Sequence, residues 1–220
     1  MALNLAQYQH LAEELAPKNV TLVAVSKTKP VEDIKALYDA GQRDFGENYV
    51  QELLEKQPVL PSDIRWHFIG HLQRNKVRSI APFVHLIHGV DSYRLLHEIH
   101  KEALRAGRQI DCLLQIHIAN EETKFGLDAT ELAALWAQIT AQPLTGVRIR
   151  GMMGMASFTD NPAVVREEFQ HLHSLFVQYQ SLADYAAFDT LSMGMSADFR
   201  IAVESGSTLV RVGSLLFGAR

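Results

Sequence analysis

Short runs rich in Val, Ile and Phe alternate along the chain with longer segments whose apolar residues recur at helical spacing. Residues 5–16 make the first helical segment, ended by Pro17. The run 20–25, Val-Thr-Leu-Val-Ala-Val, reads as a buried strand; Pro30 then opens a helix that Gly41 closes. Further strands are predicted at 43–46, 65–69, 84–88, 110–118, 146–153, 188–191 and 208–212. Between them fall helices at 48–56, 73–81, 92–106, 128–138, 161–180 and 197–204. Strands separated by crossover helices pair in parallel, and eight such units close on themselves. The pattern therefore predicts an α/β fold, a single-domain (β/α)8 TIM-type barrel over residues 1–220 with a helix before strand one. An open doubly wound sheet uses fewer strands and a glycine-rich first turn. The turn here, Ser26-Lys27-Thr28-Lys29-Pro30, has no glycine.

Composition narrows the function. With 47% hydrophobic and 21% charged residues in 220, the chain can bury a sizeable core. A net charge of −4 and the lack of a dense Lys/Arg stripe argue against nucleic acid as a partner. Cys112 is the one cysteine and lies in an apolar run, so no intrachain disulfide forms and a buried structural thiol is expected. The N-terminus lacks a basic segment followed by a continuous apolar core, and no stretch is apolar enough to span a bilayer. A cytoplasmic protein without a membrane partner is expected. The sequon Asn19-Val20-Thr21 runs straight into a strand and reads as chance.

Parallel barrels place their sites after the C-terminal ends of the strands. Alternation puts Val23, Val25 and Lys27 on one face, so if Val25 points inward, Lys27 does too. A lysine at an apolar rim favours the neutral, nucleophilic amine that condenses with an aldehyde; the plainer reading is a snorkelling lysine. Ser196, where the helix after strand seven begins, is either an N-cap or an anion ligand. After strand eight, Gly213 allows close approach to a phosphate and Ser214 can donate to it. Arg211, flanked by valines, alternates to the interior and needs an acceptor, either a structural carboxylate or a ligand ring nitrogen. Asn48 and His67, at the ends of strands two and three, stand either within reach of a bound ring or as a helix cap and a satisfied interior histidine.

Six stretches in order carry a resemblance: Ala24-Val25-Ser26-Lys27-Thr28-Lys29-Pro30, Phe45-Gly46-Glu47-Asn48-Tyr49-Val50-Gln51-Glu52, Trp66-His67-Phe68-Ile69-Gly70, Leu72-Gln73 with Asn75-Lys76, Leu191-Ser192-Met193-Gly194-Met195-Ser196, and Val210-Arg211-Val212-Gly213. Together they resemble the pyridoxal phosphate homeostasis protein family over nearly the whole chain. The resemblance implies a barrel related to the N-terminal domain of alanine racemase, with pyridoxal 5′-phosphate (PLP) held as a Schiff base on Lys27. By the same matching, Ser196, Gly213 and Ser214 hold the phosphate and Arg211 faces the pyridine nitrogen. Ser192 and Gly194 of the strand-seven motif join Asn48 and His67 as further cofactor-binding positions, and no metal is implied. The implied role is control of vitamin B6 and amino-acid pools without an established reaction, with PLP-dependent apoenzymes as partners and a monomer or weak dimer. The segment Gly151-Met152-Met153-Gly154-Met155-Ala156 is richer in methionine than the usual strand-six pattern.

A cation at the ring nitrogen makes a weak electron sink, which favours a carrier over a catalyst. The chain also stops at Arg220, eight residues after strand eight, where related racemases add a β-domain. The alternative is a small PLP enzyme such as an amino-acid racemase, and a phosphosugar barrel enzyme using Lys27 is a third reading. Lys29, Lys76 and Lys124 are other candidate aldehyde partners, for a second PLP. The ten histidines lack zinc-site spacing, and Glu167 and Glu168 read as a solvated helix face.

Overall fold

Eight strands run parallel and close in chain order: β1 (Thr21–Val25), β2 (Asp44–Glu47), β3 (Arg65–Phe68), β4 (Leu86–Val90), β5 (Ile110–Gln115), β6 (Val147–Met153), β7 (Thr190–Ser192) and β8 (Leu209–Val212), with β8 paired back onto β1. This computed structural model describes residues 3–119, 125–182 and 188–218. The outer ring comprises α1 (Leu5–Leu15), α2 (Val31–Asp39), α3 (Val50–Lys56), α4 (Val77–Ile80), α5 (Tyr93–Arg105), α6 (Ala129–Ala141), α7 (Pro162–Leu182) and α8 (Phe199–Glu204), followed by a short α9 (Ser214–Phe217). The (β/α)8 TIM-type barrel predicted from the alternation is the fold observed.

Local chemistry sets several boundaries. The Asp128 side chain accepts from the Glu131 N–H at 2.8 Å while the Glu131 carboxylate accepts from the Asp128 N–H at 3.0 Å, a capping box that starts α6. Helix α3 begins later than predicted. The N-cap position is Tyr49, extended and without a side-chain cap, so Asn48 does not cap the helix. The helix predicted at 73–81 divides into a 3₁₀ turn, Arg74–Lys76, and the four-residue α4. Glu168, expected in solvent, is buried, and the Ser157 N–H and hydroxyl donate to its carboxylate at 2.7 and 2.5 Å.

Two apolar layers result. Phe45, Trp66, Phe68 and Leu114 face the helices and pack with Leu11, Ile34, Phe169 and Phe217. Inside the barrel, Val23, Leu86, Leu113, Met153 and Leu209 form a smaller cluster. The same interior carries polar groups, with His67, His88, Ser192 and Arg211 all buried.

Strand β6 carries one extra residue against β5, with Cys112 opposite Ile149 and Leu113 opposite Gly151. Gly151 sits at φ +148°, and a Cβ there would stand 1.9 Å from the Thr190 carbonyl oxygen. The bulge therefore requires glycine. Gly151→Ala is expected to lower stability by about 2 kcal/mol or more, read as a lower urea midpoint.

Candidate functional site

Val25 and Lys27 follow Val23 on the inward side of β1 and line a cavity of about 420 Å³ at the C-terminal mouth of the barrel. Asn48, Arg211, Gly213, Ser196 and Ser214 line the same cavity, from the ends of β2 and β8 and the loop after β7. Six of the expected positions are thereby brought together.

The loop carrying Lys27 is held from behind. Thr28 adopts φ +62°, a left-handed conformation unusual for a β-branched residue, and its N–H donates to Glu52 at 2.7 Å. Lys56 donates to the Ser26 carbonyl at 2.9 Å, to Glu47 at 2.7 Å and to Glu52 at 2.8 Å. The Ser26 hydroxyl adds a bond to Glu47 at 2.7 Å. Burial pushes the Glu47 carboxyl up, against the lowering effect of Lys56 and Ser26. Anchors on Ser26 and Thr28 thus fix the backbone on both sides of Lys27.

Across the mouth, the Gly213 N–H donates to the Ser196 hydroxyl oxygen at 3.2 Å. Ser196 therefore ties the β7 loop to the β8 loop. It does not cap α8, whose N-cap position is Asp198. A Cβ on Gly213 would press on Val25 at 3.3 Å, so glycine keeps this wall open.

Two polar groups with spare capacity line the same cavity as the amine and the serines. The buried Asn48 Oδ1 has no hydrogen-bond partner. Arg211 donates from Nη1 to the Ser192 carbonyl at 2.9 Å and hydroxyl at 2.5 Å, and from Nη2 to the Gly154 carbonyl at 3.2 Å. Among the described residues it pairs with no carboxylate, and burial pushes its guanidinium down to about 10, with Asp198 offsetting part of the shift. A buried cation in that condition suits a ligand that brings its own acceptor. An amine, an unsatisfied amide, a guanidinium and a serine–glycine cradle together fit a phosphorylated heteroaromatic aldehyde.

The chain matches the family "Alanine racemase, N-terminal domain" over residues 4–220. It is 40% identical over 228 residues to the pyridoxal phosphate homeostasis protein of Pasteurella multocida (strain Pm70), covering 99% of this chain and 96% of that protein. Its Escherichia coli (strain K12) counterpart is 39% identical over 210 residues, covering 93% and 88%. The chain belongs to the pyridoxal phosphate homeostasis protein family. The structure of PipY from Synechococcus elongatus PCC7942 with PLP bound superposes with a TM-score of 0.89 at 37% identity, covering 97% of this chain and 99% of that one. Alanine racemase from Bartonella henselae shares the fold at a TM-score of 0.75 and 18% identity, and this chain covers 58% of it.

Three expected positions lie off the mouth. His67 lines a different cavity, of about 460 Å³, at the N-terminal end of the barrel beside Asp44 and Arg65. The residue that reaches the mouth here is Ile69, just after β3, two positions beyond His67 and on the same side by alternation. Ser192 lies beneath the mouth, under Arg211. Gly194 serves packing, because at φ +95° a Cβ would meet Ala202 at 2.5 Å.

Met155, just after β6, and Met195, in the loop after β7, also line the mouth. The other candidate aldehyde partners separate cleanly. Lys29 lines the mouth but donates to the Phe217 carbonyl at 2.9 Å, Lys76 lies on a surface pocket, and Lys124 lies outside the described residues. Among the described residues, Asp44, His67 and His85 bring ligand-type atoms within 4.8 Å of one another. The two Asp44 oxygens are already engaged by Arg65 and His67, and Arg150 lines the same space. No helix is long and apolar enough to cross a membrane among the described residues.

Lys56→Met is expected to leave Glu47 buried beside no cation, at a cost of about 3 kcal/mol in urea unfolding at pH 7. That deficit should shrink as pH falls, because a carboxyl raised in the folded state takes up its proton there first. Burial holds the His88 ring well below the ordinary imidazole range. Below pH 6.5 the unfolded chain then binds a proton that the folded ring does not. Stability therefore falls with pH by up to ~1.4 kcal/mol per unit from this group, and His88→Gln should remove that share of the slope.

Proposed function

We propose that this chain holds PLP at the C-terminal mouth of its barrel, attached through Lys27, and serves vitamin B6 and amino-acid homeostasis as a carrier without turnover. The convergence of Lys27, the unpartnered Asn48 amide oxygen and the carboxylate-free Arg211 on one cavity carries this reading. Lys27 would hold the cofactor through its aldehyde, the kind of amine–aldehyde linkage that water can reverse. The Ser196 hydroxyl, with its oxygen accepting from Gly213, keeps its proton to donate to the phosphate. Ser214, exposed at the rim, adds a second hydroxyl.

PLP acts as an electron sink in enzymes that protonate its ring nitrogen. Arg211 opposes that role. Its guanidinium would donate a hydrogen bond to the ring nitrogen and so keep a proton off it. A cofactor in this setting is bound and released with little activation toward carbanion chemistry. Delivery to PLP-dependent apoenzymes in the cytoplasm is the use proposed for such a protein.

Purified protein loaded with PLP should show a chromophore that borohydride reduction fixes onto the peptide containing Lys27. Lys27→Ala should abolish that product while leaving the thermal midpoint nearly unchanged. Added L- or D-alanine should not be interconverted. Turnover would replace the carrier by an amino-acid racemase, and absence of any chromophore would overturn the PLP reading altogether.

A further inference from the structure

The interior histidines form a line. His67 Nε2 lies 3.0 Å from Asp44 Oδ1, and His67 Nδ1 lies 2.9 Å from His88 Nε2. His88 Nδ1 lies 3.0 Å from the Ser192 hydroxyl oxygen, which accepts from Arg211 Nη1 at 2.5 Å. Asp44 opens onto the N-terminal cavity and Arg211 onto the C-terminal mouth, so one file of side chains crosses the barrel from end to end. Each of its five members comes from a different strand, and all five are buried.

Packing does not require this. The surrounding interior is filled by Val23, Leu86, Leu113, Met153 and Leu209, and apolar side chains in the file would avoid the desolvation of five polar groups. The file is also directional. Arg211 donates to the Ser192 oxygen, so the single hydroxyl proton goes to His88 Nδ1. His88 then carries its proton on Nε2 and donates to His67 Nδ1, and His67 donates from Nε2 to Asp44. Asp44 accepts besides from Arg65 Nε at 2.7 Å and Nη2 at 2.5 Å, which keeps it an acceptor. The tautomers follow from the network, with the carboxylate at one end and the guanidinium at the other.

We infer that Asp44, His67, His88 and Ser192 are positioning residues that hold the Arg211 guanidinium in one orientation toward the bound ring, with their anchor at the opposite end of the barrel. The inference rests on the PLP reading for what Arg211 faces. The file itself exists without the ligand. Reversing its polarity, by withdrawing the acceptor at Asp44, gives Ser192 a second incoming N–H from His88 and displaces the bond that steers Arg211.

Two measurements test this, and they fail separately. In ligand-free protein labelled with ¹⁵N-histidine, both His67 and His88 should show the Nε2–H tautomer, and Asp44→Leu, which removes the acceptor, should change the ring shifts of His88 as well as those of His67. A response confined to His67 would overturn the file. In PLP-loaded protein, Asp44→Leu and Ser192→Ala should each shift the cofactor's absorption maximum and weaken PLP retention roughly threefold to thirtyfold, and the double variant should do no more than the stronger single one. Asp189→Asn, which removes a carboxylate from the same N-terminal cavity outside the file, should leave both readouts unchanged. Additive losses, or variants that lower the thermal midpoint with no spectral shift, would reduce the file to a structural role. Failure to bind PLP would remove the ligand reading while the ¹⁵N result still decides the file.

Discussion

Arg211 is a cation inside a barrel. Its strand pairs with β1 so that Arg211 lies opposite Val23, two positions before Val25 and four before Lys27. A guanidinium so placed needs acceptors from several directions, because burying a charge without partners costs several kcal/mol. The protein supplies the Gly154 and Ser192 carbonyls and the Ser192 hydroxyl. It supplies no carboxylate among the described residues. Most of what is unusual about the interior follows: a polar file among aliphatic neighbours, and a mouth whose electrostatics suit an acceptor brought from outside.

Strand β2, one strand beyond β1 from Arg211, is organised by the same rule with the signs exchanged. Glu47 is a buried carboxylate in the sheet–helix layer, and Lys56 reaches it from α3. Because Lys56 also binds the Ser26 carbonyl and Glu52, the energy of satisfying one buried charge is used to shape the loop that carries Lys27. Rigid support behind a nucleophile on a loop is what lets an exchangeable ligand meet it in a constant geometry. The serine–glycine bond between the last two loops does the same for the other end of the ligand.

These supports explain why related barrels can differ in chemistry while sharing a frame. Alanine racemase from Bartonella henselae has the fold at 18% identity, and that likeness speaks to architecture alone. Function here is read from the mouth, where the Arg211 cation and the methionines Met155 and Met195 line one cavity with Lys27.

Periodicity and punctuation in the sequence determined the barrel, because a period of two or of 3.6 and a well-placed Pro, Gly or Asp act locally. They also determined which side of a strand a residue faces, which is why Lys27, Asn48 and Arg211 were legible as inward groups. Depth was not legible. His67 and Ile69 lie on the same side by alternation, yet only Ile69 reaches the mouth. How far up the barrel a residue sits depends on the tilt and stagger of closed strands, a relation among all eight that no single segment encodes. The role of Ser196 was hidden for the same reason. Whether that hydroxyl caps its own helix or accepts from Gly213, 17 residues away, is decided only when two loops meet. The sequence by itself determined the elements and their facing, and the tertiary structure decided depth and partners, because those are set by contacts between strands distant along the chain.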